Sequence, residues 1–591
     1  MKKKILASVL MAIILSGCTM PEISFNNTDS PLFVEEKNES SASDVTASVG
    51  SEQDTSENES DGGTKEKDTS SDRSGTDMRN EDTSADQSLT GMEGDDSLTD
   101  LSGDTSVKDK EKKDSERIRN SKTENAELLS VVLSEKFERK YDSTSGKVSA
   151  KVDYAWPKLT AAAKKKSPDL NRFLERYEAA LIKQMNTDFS ELAEKASESR
   201  AADSDERKIT RTMLPVRSDT AVFSAVTLAS GGIEDPSAIE IEAVNIDPGT
   251  GKEIELSEVI DTEGLADQLM EAYDAEYPDG PITDLEKLLA GYSESDYIWA
   301  VSEEGINFYF ADDAESDLVT VQISRKDEPD LFTDSFAGVP KSGSVPVRAG
   351  VQNAFDIKND GSTDLLRVTG DNNSITVEMN GRSAVGRLSS GEIIPVLVRT
   401  ADERYYIYVH ADGDEEYDQL AVFDVNGEIP VFLGTMSQMG FPKYYHDDGT
   451  RRTVLPCDPE GFLLESDFDL MSSYSASCLY ATGSDGMPEA KDIWYYLNGD
   501  DYAGSNIELT ALMKFAADSI DPETDETAEE GIIIQKGTTL KIYRTDGKSI
   551  VDLKTEDGGI VRVDIDTSGG WPHTIDGTAV QKLFDGIIIA G

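Results

Sequence analysis

The sequence predicts a multidomain protein in which an α+β domain, a mostly-β region and a small SH3-like β-barrel follow one another. Three observations support this fold class. The chain has 591 residues, which is enough for several hydrophobic cores. Residues 126–335 combine one long stretch of helical periodicity with runs that alternate apolar and polar side chains. After residue 338 the pattern changes to short alternating runs separated by turn residues, which is typical of antiparallel sheets.

The α+β domain is predicted over residues 126–335, with a helix packed on an antiparallel sheet. Its clearest element is a helix at Leu170–Ala196, where apolar side chains recur every three or four residues. Shorter helices are predicted at Leu265–Tyr273 and Asp284–Leu289. The predicted strands are 128–141, 146–156, 209–216, 220–228, 239–246, 299–301, 305–310 and 318–323.

The mostly-β domain is predicted over residues 338–520. Within it, Ile507–Ser519 has the apolar spacing of a helix, and residues 521–530 have the composition of an acidic linker. Residues 531–591 are predicted to form the SH3-like terminal domain, from three strands at 539–544, 550–554 and 561–565 that are separated by glycine turns.

The first 18 residues have the charge order of a secretory signal. Lys2, Lys3 and Lys4 precede a short apolar run, and Leu-Ser-Gly-Cys closes it at Cys18. The apolar run is too short for an ordinary membrane span. The closing tetrapeptide resembles the bacterial lipobox, which implies a lipoprotein signal peptide at 1–18, cleavage before Cys18, and lipid attachment to Cys18 at the outer face of the bacterial cell membrane. The alternative is a short N-terminal membrane helix with an ordinary cysteine.

Residues 19–125 are predicted to be a disordered acidic tether rich in serine and threonine. They contain 28 acidic and 12 basic residues, and residues 34–125 contain no aromatic residue and no proline. Such a segment buries too little apolar surface to offset the entropy of ordering. We therefore expect it to carry the folded domains away from the membrane and into the cell envelope.

The charge of the chain restricts its partners. It has 57 Lys and Arg against 116 Asp and Glu, a formal net charge of −59. This excess disfavours nucleic acid, whose phosphates it would repel, and favours cationic proteins or divalent metals. The other interpretation is that the acidic excess only keeps an exported protein soluble.

Two segments of the α+β domain carry a family resemblance. The hairpin at 244–259, VNIDPGTGKEIELSEV, and the strand at 305–310, GINFYF, resemble motifs of an extracytoplasmic family. That family occurs in lysozyme-sensing anti-sigma factors and ahead of polysaccharide deacetylase domains. The resemblance implies an α+β fold with a helix on a curved antiparallel sheet, and a cationic protein such as lysozyme as ligand. Residues 311–316 depart from the family's pattern, and the hairpin is equally explained as a structural turn.

One loop has the spacing of a weak calcium site. Asp356, Asp360 and Asp364 stand at positions one, five and nine of the loop, with Gly361 at position six. Lys358 stands at position three, where an ammonium group opposes cation binding. The alternative is a simple Asn-Asp-Gly hairpin turn, and no other cofactor is predicted.

Two cysteines remain after Cys18. Cys457 and Cys478 would close a loop of about 20 residues, and outside the cytoplasm such a pair can oxidise, a bridge worth roughly 3 kcal/mol. Two buried thiols are equally compatible with the sequence.

Catalytic signatures are missing from the sequence. The histidines, His410, His446 and His573, stand singly, and neither a nucleophile elbow nor a zinc motif occurs. Several aromatic residues could stack on sugar rings, namely Tyr444, Tyr445, Trp494, Tyr495, Tyr496 and Trp571, and the alternative is that they belong to the hydrophobic core. The sequence therefore favours a non-enzymatic binding or sensing module for a cationic protein or a wall glycan. The alternative is a cell-envelope glycan hydrolase with a carboxylate site in the C-terminal β region.

Overall fold

The computed structural model describes residues 126–589 apart from twelve short gaps. The signal peptide, the tether and Cys18 lie outside the described residues. The gaps are 144–145, 199–206, 234, 236, 279, 312–317, 372, 389–391, 413–417, 447, 498–505 and 523. No helix in the described part is both long and apolar enough to cross a membrane.

The largest unit of the α+β region is an eight-stranded sheet. Its order is β19-β20-β1-β2-β3-β4-β5-β6, and all neighbours are antiparallel except β2 and β3, which are parallel. With strands numbered in chain order, the members are β1 Val131–Tyr141, β2 Val148–Leu159, β3 Arg207–Ser218, β4 Phe223–Ser230, β5 Ile239–Asp247, β6 Lys252–Glu253, β19 Lys443–Tyr445 and β20 Arg451–Val454. The last two come from far along the chain and extend the sheet beyond β1.

Two helices connect the parallel strands β2 and β3. The first, α1 (Ala161–Lys166), begins after Thr160, whose hydroxyl accepts a hydrogen bond from the Ala163 amide at 3.3 Å. The second, α2 (Pro168–Glu198), confirms the predicted helix and extends it by two residues at each end. Its apolar stripe packs on the sheet, with these side chains buried: Leu170, Phe173, Leu174, Tyr177, Leu181, Met185 and Leu192.

A second layer of the α+β region consists of helices on a small antiparallel sheet. The helices are α3 (Leu265–Glu276) and α4 (Leu285–Leu289), and three short 3-10 turns lie at Leu256–Glu258, Glu294–Asp296 and Pro329–Leu331. The sheet consists of β7 Trp299–Val301, β8 Gly305–Ala311 and β9 Leu318–Ser324. Both predicted short helices are therefore present.

Two sheets pack face to face in the region after residue 338. One has the order β10-β15-β16-β17-β18 and the other β11-β12-β13-β14, and their inner faces share one hydrophobic core. Their strands are β10 Gly343–Pro346, β11 Gln352–Phe355, β12 Asp364–Gly370, β13 Ser374–Met379, β14 Arg382–Arg387, β15 Glu392–Arg399, β16 Tyr405–Asp412, β17 Gln419–Asp424 and β18 Val431–Ser437.

The C-terminal region forms an eleven-stranded sheet with a small two-stranded sheet and the short helix α5 (Val580–Leu583) beside it. The strands of the large sheet are β21 Phe462–Asp469, β22 Ser473–Thr482, β23 Pro488–Ala490, β24 Tyr495–Tyr496, β25 Glu508–Ala511, β26 Phe515–Ile520, β27 Thr527–Ile534, β28 Thr539–Thr545, β29 Ile550–Thr555, β30 Ile560–Asp564 and β33 Phe584–Asp585. The small sheet pairs β31 Thr574–Ile575 with β32 Thr578–Ala579.

Three predictions in this region were wrong. The helix predicted at Ile507–Ser519 is the pair of strands β25 and β26, because Leu509 and Ala511, and then Phe515 and Ala517, are buried at alternate positions. The predicted acidic linker, residues 521–530, contains the first half of strand β27. The strands expected to form an SH3-like barrel pair with β24, β25 and β26, so within the described residues they belong to an open sheet and not to a closed barrel.

Candidate functional site

An acidic helical layer, residues 255–296, forms a strongly charged surface of the folded part. This segment contains 13 Asp and Glu and one lysine, Lys287. It includes α3, α4 and two of the 3-10 turns. Its exposed carboxylates are Glu255, Asp261, Glu263, Asp267, Glu271, Asp274, Asp284, Glu286 and Glu294.

The periodicity of α3 and α4 explains why these carboxylates face outward. In α3 the buried residues Leu265, Leu269 and Tyr273 recur every four positions and pack on the core of the β7–β9 sheet. In α4 the buried residues are Leu285 and Leu289. One stripe of each helix is therefore fixed by packing, and the acidic residues are left on the solvent side.

The acidic helical layer also presents apolar surface. The side chain of Leu288 is 42% exposed. The rings of Tyr292 and Tyr297 meet edge to face at 5.2 Å, and Tyr297 stacks in the same manner on Phe308 of the core. A charged surface with an apolar contact point is suited to a protein partner, because such interfaces combine a polar rim with a desolvated centre.

The hairpin that carries the family resemblance has a structural role. The Asp247 carboxylate accepts a hydrogen bond from the Gly249 amide at 2.9 Å, which stabilises the turn between β5 and β6. Asn245 connects two sheets, because its amide donates to the Trp299 carbonyl at 2.8 Å and its oxygen accepts from the Val301 amide at 3.1 Å. These contacts hold the β7–β9 sheet, and with it the acidic helical layer, against the eight-stranded sheet.

Glu276 ends helix α3 in a partly buried position. Its Oε1 accepts hydrogen bonds from the Thr363 hydroxyl at 2.6 Å and from the Gln322 amide at 3.2 Å. Its Oε2 is buried and has no hydrogen-bond partner among the described residues. Burial raises the pKa of Glu276 to about 7, so this carboxyl keeps its proton up to a higher pH than an exposed carboxyl does.

The carboxylates of the predicted calcium loop are occupied by the loop itself. Asp356 accepts hydrogen bonds from the amides of Asp360 and Gly361, both at 2.9 Å. The Asp364 carboxylate pairs with the Lys358 ammonium at 2.8 Å. Across the described part of the chain, no group of three or more His, Cys, Asp or Glu is arranged to hold a metal ion. Lys358 therefore supplies the positive charge beside Asp364 in this structure.

Cys457 and Cys478 are free thiols in the structure. The Cys457 sulfur accepts a hydrogen bond from the Val131 amide at 3.4 Å, and the Cys478 thiol donates to the Asp492 carbonyl at 3.3 Å. Burial raises the pKa of each thiol to about 11. The arrangement matches the alternative of two separate thiols.

A buried cluster of ionisable side chains joins three sheets. It consists of His410 from β16, Asp418 just before β17, Lys443 from β19 and Glu465 from β21. The His410 Nε2 lies 3.5 Å from an Asp418 oxygen, and the Lys443 ammonium lies 2.9 Å from the same atom. The Lys443 amide donates to Glu465 at 3.3 Å. The cluster contains no hydroxyl or thiol nucleophile among these four residues, and it holds the sheets together electrostatically.

Sequence reasoning missed this cluster. The four residues come from separate strands, and no spacing rule relates Lys443 to Glu465, which lie 22 positions apart. Burial raises the pKa of Glu465 to about 8. Burial opposes ionisation of Asp418 as well, but the contacts with His410 and Lys443 prevail and lower its pKa.

The aromatic residues considered for sugar stacking differ in exposure. Trp494 is buried, and the guanidinium groups of Arg544 and Arg562 lie 4.2 and 4.7 Å from its ring centroid. Tyr444 is also buried, whereas Tyr445 is 65% exposed and Trp571 is 38% exposed. Tyr445 and Trp571 are the more exposed rings of this group, and Tyr495 and Tyr496 are half-buried.

Two carboxylates in the C-terminal region are neutralised by arginine. The fully buried Asp552 accepts from Arg544 at 2.7 Å and from Arg562 at 2.8 Å. Asp525 accepts a hydrogen bond from the Trp494 indole at 2.8 Å and also pairs with Arg544. The partners of both carboxylates are side chains of the C-terminal region itself, so this network has a structural role.

The described part of the chain is rich in β-sheet and has a strongly acidic surface. Comparison with known proteins finds a partial structural likeness to two solved structures. No family model matches the sequence, and no curated protein matches it. A solved structure of a DUF3298 family member from Bacteroides fragilis NCTC 9343 is similar, with a TM-score of 0.26 and 12% identity, over 36% of this chain and 96% of that one. A DUF3298 family protein from Pseudomonas aeruginosa PAO1 is similar with a TM-score of 0.24 and 12% identity, over 36% of this chain and 99% of that one.

Proposed function

We propose that this chain is a lipid-anchored protein of the bacterial cell surface that binds a cationic protein and catalyses no reaction. The observation that carries the proposal is the acidic helical layer, where 13 carboxylates and one lysine occupy residues 255–296. A surface of one sign attracts a partner of the other sign, and speeds their encounter.

The N-terminal sequence supports the location. Cys18 follows a basic head and a short apolar run, and it stands where a lipobox places the lipidated cysteine. The acidic residues 19–125 would then separate the folded region from the membrane. A binding module held in this way reaches partners within the cell envelope or outside it.

The resemblance of the hairpin and of strand β8 to the lysozyme-sensing family supports a cationic protein such as lysozyme as the ligand. The exposed Leu288 would supply apolar contact at the centre of the interface, and the surrounding carboxylates would supply the rim. A wall glycan, the other ligand class that the sequence favours, lacks the positive charge that this layer selects.

Surface plasmon resonance with the full chain immobilised and lysozyme as analyte tests the proposal. We expect binding at 0.05 M salt, with an association rate that falls steeply at 0.5 M, because the Debye length shrinks from about 14 to about 4 Å. Neutralising three exposed carboxylates, Glu263→Gln, Glu271→Gln and Asp274→Asn, should lower the association rate about tenfold or more at low salt.

A matched control removes the same charge elsewhere. Glu526→Gln, Glu529→Gln and Glu530→Gln alter three exposed carboxylates at β27, outside the acidic helical layer. This triple variant should change the association rate less than about twofold. Equal loss in both triple variants would reduce the interaction to general charge attraction, and absence of binding at low salt would refute the proposal.

A further inference from the structure

The charge of the folded region is divided unevenly along the chain. Residues 131–217 contain 18 Lys and Arg against 14 Asp and Glu, whereas residues 218–591 contain 24 against 73. The strands β1, β2 and β3 therefore belong to a weakly basic segment within a strongly acidic protein. A basic segment in such a setting is a local site of attraction for anions.

Among the described residues, no helix packs on one face of β1–β3 over its distal half. Helix α2 covers the opposite face, where Tyr154 bonds to Asp188 of the helix and the Lys140 ammonium donates to the Ala193 carbonyl at 2.7 Å. Because side chains alternate along a strand, the odd-numbered residues of β1 point away from α2. The proximal part of that second face is buried, since Val131 and Leu133 share a core with the β15–β17 strands. Beyond Glu135 the side chains of Phe137, Arg139 and Tyr141 on this face are exposed in the described structure.

Aromatic and basic side chains occupy this open face together. Phe137 is 43% exposed and Tyr141 is 58% exposed, and both stand on β1. The Arg139 guanidinium lies between them in sequence and 4.7 Å from the Phe137 ring centroid. Tyr445 stands at the edge of the same sheet, in the row that continues through Arg451 and Glu135.

The neighbouring strands add two lysines. Lys151 of β2 is directly opposite Arg139, and Lys208 of β3 is directly opposite Lys151. Asp153 lies between them, 2.7 Å from the Lys151 ammonium and 3.7 Å from that of Lys208, and takes up part of their charge. With three cationic side chains and one carboxylate, this face has a positive net charge.

We propose that this face, defined by Phe137, Arg139, Tyr141, Lys151 and Lys208, binds an anionic glycan. Sugar rings would stack on Phe137 and Tyr141, while carboxylate or phosphate groups of the polymer would pair with the three cations. The two rings are four residues apart, about 13 Å along the strand, so an oligosaccharide reaches both and a single sugar does not. The positive charge of this face favours an anionic polymer, and its exposed aromatic rings favour a polymer that contains sugars.

Edge protection explains only part of this surface. β20 pairs with β1 only as far as Glu135, so the distal half of β1 is an edge strand among the described residues, and charged side chains commonly guard such edges. Exposed aromatic rings work against that purpose, since they add apolar surface to the edge. The combination of rings and cations therefore points to a ligand.

Glycan-binding measurements with the purified full chain test this proposal, which is independent of the cationic-partner proposal. Four probes separate the contributions. An oligogalacturonate supplies rings with carboxylates, a glycosylated poly(ribitol phosphate) supplies rings with phosphates, inorganic polyphosphate supplies charge alone, and chitohexaose supplies rings alone. We expect at least one of the first two to bind about tenfold or more tightly than either of the last two, and the better one identifies the anionic group.

Variants locate the site. Phe137→Ala with Tyr141→Ala should weaken binding of the preferred glycan by about tenfold or more, through loss of stacking. Arg139→Gln with Lys151→Gln and Lys208→Gln should weaken it and flatten its salt dependence. Phe137→Leu with Tyr141→Leu keeps apolar packing and should lose binding equally, which separates stacking from folding.

The control is Trp571→Ala with Lys541→Gln, a ring and a half-exposed cation on other strands and loops, and it should leave binding unchanged. Equal binding of polyphosphate and the glycans, or unchanged binding in the β1 variants, would overturn the proposal. Failure of the full chain to bind any of the four probes would overturn it as well.

Discussion

Arg217 and Asp219 form an ion pair that is removed from solvent. The Arg217 Nε donates to the Asp219 carboxylate at 2.7 Å, and each side chain is 1% exposed. The Arg217 guanidinium also donates to the carbonyls of Ser302 and Phe336, at 3.3 and 3.0 Å. Asp219 accepts from two backbone amides of the β3–β4 turn. The pair therefore connects the eight-stranded sheet with the β7–β8 turn and with the segment that follows β9.

Asp219→Ala should lower the free energy of unfolding by about 3–5 kcal/mol, because it leaves the buried guanidinium of Arg217 without its counter-charge. The measurement is denaturant unfolding followed by circular dichroism. Arg382→Ala is the control, since its partner Glu428 lies 3.3 Å away on the surface and both side chains are more than half exposed. That variant should cost less than about 1 kcal/mol. Similar losses in both variants would contradict the expectation.

Glu465 should make stability depend on pH. Burial raises its pKa to about 8, so the folded state binds this proton more tightly than the unfolded chain. The contribution is fully present below the ordinary carboxyl pKa of about 4.3 and is lost as pH rises through about 8. Glu465→Gln should therefore gain stability relative to the parent between pH 5 and 8, by about 1–3 kcal/mol. Thermal unfolding at several pH values measures the difference.

The control for Glu465 is Glu530→Gln on the exposed strand β27, which should leave the pH profile unchanged. Burial raises the pKa values of Glu276 and Glu304 to about 7, so these residues also lower the stability of the folded state as pH rises. Both residues are present in both variants, so their effect is the same in each. A parent profile that is flat from pH 5 to 8 would show that Glu465 is ionised at little cost.

Calcium should have a small effect on stability. Lys358 pairs with Asp364, and Asp356 already accepts two backbone amides, so a cation would have to displace these contacts. Millimolar calcium is expected to raise the free energy of unfolding by less than about 1 kcal/mol. A shift above about 2.7 kcal/mol that disappears in Asp360→Ala would instead indicate a tight site, because a hundredfold excess over the dissociation constant produces a shift of that size.

Cys457 and Cys478 should both react with iodoacetamide when the unreduced chain is unfolded, and react slowly in the folded chain. Their free thiols are shielded by packing, and burial raises the pKa of each to about 11, which leaves little thiolate at neutral pH. Peptide mass spectrometry reads out the modification. Protection of both residues in the unfolded, unreduced chain would mean that they form a disulfide.

Anchoring should depend on the Cys18 thiol. Cys18→Ala should leave the chain uncleaved or released, because the lipid has no other attachment atom at this position. Membrane fractionation and intact mass measure the outcome in the producing bacterium. Cys478→Ala, which alters a cysteine outside the signal, should leave both unchanged. Identical mass and membrane association in Cys18→Ala and the parent would end the lipoprotein proposal.

The sequence by itself determined the elements whose signal is local. Helix α2 follows from apolar residues at every third or fourth position over 31 residues, and the β5–β6 hairpin follows from the turn chemistry of Asp247 and its glycines. The net charge is a property of composition alone. These features can be predicted without knowing which distant residues pack nearby, because they depend on composition or on residues close together in the sequence.

Tertiary structure decided the features that depend on residues far apart in the chain. Ile507–Ser519 became two strands because ladder pairing with β28 and β30 outweighs its weak helical spacing. The cluster of His410, Asp418, Lys443 and Glu465 exists only because three sheets meet there. Likewise Phe137 and Tyr141 are exposed on β1, whereas Val131 and Leu133 on the same face are buried against strands from far along the chain. Burial and contacts between sheets depend on many residues at once. The sequence pattern of one segment does not specify which distant segment packs against it.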